Sequence, residues 1–176
     1  AYNLANHFEY QNSLYSKLIG KKVSVYQPLN FSLVQEGDIK QKKPMIYKVS
    51  LSKNGKYAVY GMIPWNTWVN AELNVDDKYK IPYSSWLSPV VFHMPTNGNK
   101  ETANVSLAAK TSYDIKRDGV AFYALDLKEF AKITSKLKTR EPKFMQIKNG
   151  DVKIRTTAKE KGESLYLSVP CDKGWT

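Results

Sequence analysis

Apolar residues fall at helical spacing in two stretches of the chain and alternate with polar ones through much of the rest. In residues 2–19, YNLANHFEYQNSLYSKLI, Leu4/Phe8 and Leu14/Leu18 are i,i+4 pairs and Tyr15 continues the stripe. That spacing predicts a helix packed on its own sheet, with Gly20 as the stop just beyond it. The second helical stretch is KEFAKITSKLK, 128–138, where Phe130, Ile133 and Leu137 share one side. Lys128, Lys132, Lys136 and Lys138 lie elsewhere on its surface, and Pro142 marks its end.

Between these helices the pattern is that of strands. KKVSVYQPLNFSLV, from residue 21, reads as a strand that ends or bends at Pro28, and EGDIKQKKP, 36–44, as a polar loop holding Lys40, Lys42 and Lys43. MIYKVSLSKNGKYAVYG, 45–61, predicts a hairpin, because Asn54-Gly55 suits a type I′ turn. That pairing sets Lys53 opposite Lys56, a mildly destabilising arrangement unless the tip meets an anion. Residues 61–95 read as irregular: Pro64, Pro82, Pro89 and Pro95 interrupt them, while Trp65, Trp68 and Trp86 fall inside. Those aromatics are expected mainly in a core, with a stacking platform as the functional alternative. TNGNKET, 96–102, reads as a turn, and ANVSLAAKTSYDI and VAFYALDL as a second long hairpin through Asp118-Gly119. ESLYLSVP, 163–170, closes the chain as a final strand.

The sharpest local prediction is IKNGDVKIR, 147–155. With Asn149-Gly150 as the turn, the pairs are Lys148–Asp151, Ile147–Val152, Gln146–Lys153, Met145–Ile154 and Phe144–Arg155. Period-two alternation then sends Met145, Ile147, Val152 and Ile154 inward and Phe144, Gln146, Lys148, Lys153 and Arg155 outward. An exposed aromatic among cations is how single strands are held by stacking plus charge. A sheet with one wet face also shows this alternation, so the pattern is necessary for a binding face without being sufficient.

Composition sharpens that reading. The chain has 176 residues and carries 27 Lys+Arg against 16 Asp+Glu, a formal net charge of +11. A surplus of this size favours anionic partners: nucleic acid, acidic lipid or the anionic polymers of a bacterial wall. Only Arg117, Arg140 and Arg155 are arginine, and lysine attracts phosphate without the bidentate geometry that reads a base edge. No apolar run approaches the ~18 residues of a membrane span. The single cysteine, Cys171, allows no intrachain disulfide, which fits a cytosolic chain and also a secreted one that never relied on disulfides; the cytoplasm is slightly favoured.

Catalytic chemistry has little to stand on. His7 and His93 are the only histidines, and one thiol with two distant imidazoles lacks the ligand spacing of a zinc site. Cys171 sits beside a proline with nothing nearby to activate it. No phosphate-cradling glycine motif occurs. Asp76 and Asp77, with Glu72 before them, are the densest acids; they are read as solvated loop acids, with a metal-dependent nuclease as the functional alternative. His93, in VVFHMP, is read as a core or edge histidine.

Two local resemblances add expectations. Residues 125–169 run strand, DLKEFAKITSKL helix, KFMQIKNGDVKIRTT hairpin, then SLYLSV, an order that resembles one repeat of a DNA sliding clamp. The resemblance implies a short basic helix facing a duplex, and residues 1–120 show no second repeat. KYAVYGMIPWNTWVNAEL, 56–73, resembles the closing strands of bacterial SH3-like wall-binding modules. No functional residue is carried over from either.

The expected fold is α+β: mostly antiparallel sheet, an N-terminal helix and a helix near 128–138, in one domain with a candidate lobe boundary at 82–95. The expected function is a non-enzymatic nucleic-acid-binding accessory protein of the phage or mobile-element kind, without a cofactor. It would hold the phosphate backbone of DNA or RNA, or another polyanion, with Lys148, Lys153, Arg155, Phe144, Lys132, Lys136, Lys42 and Lys43. The alternatives are an exported cell-surface or wall-associated domain recognising anionic polymer or glycan, and the nuclease.

Overall fold

The computed structural model describes residues 6–51, 56–85, 90–96, 100–142, 144–148 and 151–156. Contacts divide the chain into two compact units, Ala1–Ile133 and Thr134–Thr176. The expected fold class holds: both helices form, and all the strand pairing is antiparallel.

The first unit opens with helix α1, His7–Ile19. The Asn6 side chain accepts hydrogen bonds from the Phe8 and Glu9 amides at 3.1 and 3.2 Å, which caps the N-terminus. Gly20, with φ of 76°, takes the left-handed position that ends the helix. Two sheets follow. One has four strands in the order β1, β9, β4, β7: β1 is Tyr26–Pro28, β4 Tyr57–Met62, β7 Val91–Met94 and β9 Ala121–Asp126. The other has five in the order β2, β3, β8, β5, β6: β2 is Phe31–Gln35, β3 Met45–Ser50, β5 Val69–Val75, β6 Tyr79–Ser85 and β8 Thr102–Ala109.

The sheets face one another across one core. Tyr47, Val49, Leu73, Val75, Val105 and Leu107 from the five-stranded sheet meet Val59, Phe92, Met94 and Phe122 from the other. Aromatic edges bridge the layers, Phe31 and Tyr47 on Phe122 and Tyr83 on Phe92. Alternation is strict where one face is wet: β5 buries Val69, Ala71, Leu73 and Val75 and turns Asn70, Glu72 and Asn74 outward. Helix α1 covers part of the outer face of the four-stranded sheet, where Phe8 stacks on Tyr123 with 4.5 Å between ring centroids.

Three predicted features of this unit form differently. The segments around Asn54-Gly55 do not pair as a hairpin: β3 and β4 belong to opposite sheets, and residues 52–55 lie outside the described ones. Both edges of β3 are taken, by β2 and β8, so β4 is free to cross over. The hairpin predicted through Asp118-Gly119 also splits, because β8 sits between β3 and β5 while β9 sits between β1 and β4. The stretch 61–95 is not irregular. It holds β5, β6 and β7, with Pro82 on β6, an edge strand where a missing amide is tolerated. The turn between β5 and β6 is Asp76-Asp77, both with positive φ (53° and 55°), a backbone that aspartate adopts more readily than most residues.

Helix α2, Leu127–Lys138, begins in the first unit and ends in the second. Asp126 Oδ1 caps it, accepting from the Lys128 and Glu129 amides at 3.0 and 2.9 Å. In the second unit β10, Phe144–Lys148, pairs with β11, Asp151–Arg155. All five predicted pairs are present, from Phe144 opposite Arg155 to Lys148 opposite Asp151. The tip, Asn149-Gly150, and the predicted last strand, ESLYLSVP, lie outside the described residues, as do Trp86 and Cys171.

Candidate basic surfaces

The lysines singled out by sequence occupy three separate elements. Lys42 and Lys43 lie in the loop between β2 and β3, exposed beside Lys40. That loop is firmly built. The backbones of Asp38 and Lys43 exchange hydrogen bonds at 2.9 and 2.8 Å, and the Tyr113 hydroxyl donates to the Lys43 carbonyl at 3.1 Å. The Tyr113 ring lies over Gly37 so closely that a Cβ there would sit 2.5 Å from it, so only glycine fits. Lys42 itself has a φ of 53°, in the left-handed region that residues other than glycine seldom adopt.

On α2, Lys128, Lys132 and Lys136 follow one another at four-residue spacing, all exposed. Lys132 approaches Glu129 at 3.6 Å, an exposed pair of little energetic weight. The ammonium groups of Lys128 and Lys136 meet no carboxylate among the described residues. Beneath the start of α2 a shallow cavity of about 410 Å³ is lined by Lys56, Tyr57, Asp126, Leu127 and Lys128. Its one carboxylate is already committed to the helix cap. No hydrogen bond or ion pair among the described residues joins Lys42 or Lys43 to the helix lysines.

The hairpin β10–β11 carries Lys148, Lys153 and Arg155 on one face, as the register requires. The position of Phe144 in that register is also as expected, opposite Arg155. The other face departs from expectation. Alternation predicts Met145 and Ile147 inward; they are 62% and 68% exposed, the two most exposed large apolar side chains among the described residues. Their cross-strand partners Ile154 and Val152 are half-buried. Alternation sorts side chains to two faces of a ribbon, but it says nothing about whether either face has a cover.

Asp76, Glu72 and Trp65 have structural partners, and Trp68 does not join Trp65 in the core. Asp76 accepts from Lys100 Nζ and from the Asn104 amide, each at 2.9 Å, which ties the β5–β6 turn to β8. Glu72 pairs with Lys80 at 3.3 Å across the outer face. No group of three metal-ligating side chains occurs among the described residues. Trp65 is core at 1% exposure, whereas Trp68, three residues on, is 53% exposed. His93 sits on edge strand β7 with its ring 5.4 Å from that of Tyr60. Burial pushes the Tyr83 and Tyr47 hydroxyls up to about 12. The Tyr83 hydroxyl donates to the Val90 carbonyl at 2.6 Å, with the Ile63 carbonyl 3.2 Å away.

Residues 2–176 match the family described as bacterial membrane protein YfhO. No curated protein and no solved structure matches the chain. The family match overturns the expectation of a nucleic-acid-binding accessory protein of phage or mobile-element kind. The physical source of that error is the charge count, since a basic lysine-rich surface suits any polyanion and does not choose among them. No helix among the described residues is long and apolar enough to cross a membrane.

Proposed function

The chain belongs to this family of bacterial membrane proteins, and from that premise we propose that its first unit is a water-facing domain standing beside the bilayer. It presents basic surface to the anionic groups found there. The observation that carries the reading is the polarity of the outward positions of the five-stranded sheet. Ser32, Lys48, Ser50, Asn70, Glu72, Asn74, Lys80, Ser84, Asn104 and Ser106 point away from the core, with Ile46 and Val34 the main apolar exceptions. Strands that cross a bilayer as a barrel do the reverse and turn an apolar band to the lipid. The lysine surplus supplies the partner chemistry, because lysine meets phosphate and carboxylate as a point charge and needs no fixed geometry.

Cysteine accessibility tests this directly. Ser84→Cys places a thiol on the wet face of β6; Cys171→Ser removes the native one. In whole cells or inverted membrane vesicles, one side is expected to react fully with a membrane-impermeant maleimide before any detergent is added. Reaction only after detergent, from both sides, overturns the reading.

A further inference from the structure

We infer that the hairpin β10–β11 is a bilayer-contact element, laying Met145 and Ile147 into the interface of an anionic membrane while Lys148 and Lys153 hold the lipid phosphates. The inference deepens the reading of the chain as a water-facing part of a membrane protein and rests on it. Four observations converge. A two-stranded ribbon is marginal in water by itself and draws stability from whatever covers its apolar face. Among the described residues that face is open along β10, where Met145 is 62% and Ile147 68% exposed, although their partners across the ladder, Ile154 and Val152, are half-buried. The opposite face is polar and basic: Gln146, Lys148, Lys153 and Arg155 are all exposed, with Asp151 the only acid on the ribbon. The chain belongs to a family of membrane proteins, so a bilayer is the surface it meets.

The arrangement is the strand counterpart of an interfacial amphipathic helix. Apolar side chains on one side enter the boundary between headgroups and acyl chains, and lysines on the other reach back to the phosphates along their flexible stems. Methionine suits such a contact because its unbranched thioether adapts to an irregular partner. Charge selects the occupant. A second copy would bring another +11 chain against this one, whereas anionic headgroups attract each lysine that comes within a Debye length.

Vesicle flotation of the full chain tests this. Vesicles of phosphatidylglycerol with phosphatidylcholine, and of phosphatidylcholine alone, are compared at low and physiological salt. The chain is expected to float with the anionic vesicles only, and less at higher salt. Met145→Gln with Ile147→Gln is expected to lower partitioning about tenfold or more, as loss of two apolar anchors predicts. Lys148→Glu with Lys153→Glu is expected to abolish the preference for anionic lipid. Both pairs are exposed, and circular dichroism confirms that the variants keep their fold. An environment-sensitive dye on Ile147→Cys, with Cys171→Ser, is expected to shift to the blue on anionic vesicles. No flotation of the wild type, undiminished flotation of the Met145/Ile147 variant, or an unshifted dye overturns the inference. So does a wild-type dimer that the Met145/Ile147 variant breaks, since a second copy would then be the cover. The Ser84→Cys labelling separates the two claims: if it succeeds while flotation fails, the chain faces water and the hairpin is not its contact.

Discussion

Asn12 is the residue whose role is least visible in its surroundings in sequence. It lies in α1 among residues that read as an amphipathic face, yet it is buried, and both polar atoms of its amide are used on the backbone of Val25 and Tyr26 at the start of β1. Nδ2 donates to the Tyr26 carbonyl at 2.8 Å, and Oδ1 accepts from the Val25 and Tyr26 amides at 2.9 Å. Replacing it with alanine strands buried backbone groups, so Asn12→Ala is expected to cost about 2–3 kcal/mol in chemical denaturation. Gly61 is a second case. A Cβ there would lie 2.4 Å from Phe92 and 2.9 Å from Phe122, so Gly61→Ala is expected to destabilise by about 1–3 kcal/mol through overpacking. Tyr83 makes the pH prediction. Its hydroxyl is raised in the folded state from the ordinary value near 10 to about 12. The folded chain therefore holds the proton more tightly than the unfolded chain, and that contribution to stability is complete below pH 10 and lost as pH rises through 12. Phenolate absorbance is expected to show a late-titrating class that includes Tyr83, Tyr47 and Tyr123, and Tyr83→Phe is expected to make the alkaline loss of stability shallower.

At the scale of elements, what was legible followed from local rules and what was missed required knowing which strand is next to which. The C-terminal bound of α1 was readable because Gly20 is a left-handed stop, whereas its start at His7, capped by Asn6, lies inside the stripe read from residue 2; the β10–β11 register was readable because turn and alternation agree. Asn54-Gly55 carries an equally strong turn signal, yet the strands flanking it go to different sheets, since β3 already pairs on both edges. The β5–β6 hairpin was hidden for the opposite reason: Asp76-Asp77 is a weaker turn signature, and Pro82 argued against a strand until its edge position was known. The turn itself is testable. Asp77 is exposed at a φ of 55°, where glycine carries no steric penalty, so Asp77→Gly is expected to stabilise by about 0.5 kcal/mol in thermal unfolding. Asp126 joins β9 to α2 by capping the helix, and Asp126→Ala is expected to cost about 1 kcal/mol.

For the whole molecule, charge was readable and its meaning was not. A net +11 predicts an anionic neighbour, but nucleic acid, lipid and wall polymer present the same sign, and kinship with membrane proteins removes only the nucleic-acid reading. The candidate residues divide in the same way: the lysines lie exposed where alternation put them, while the open Met145/Ile147 face depends on what lies over the ribbon. The strand order also has a consequence for how the chain is made. β8 fills the gap between β3 and β5, and β9 the gap between β1 and β4. Both closing strands come from the ribosome after the strands they join, so the earlier ones wait with unpaired edges until residue 126 has emerged. Chains stalled before Thr102 are therefore expected to be protease-sensitive, and chains extended past residue 126 protected.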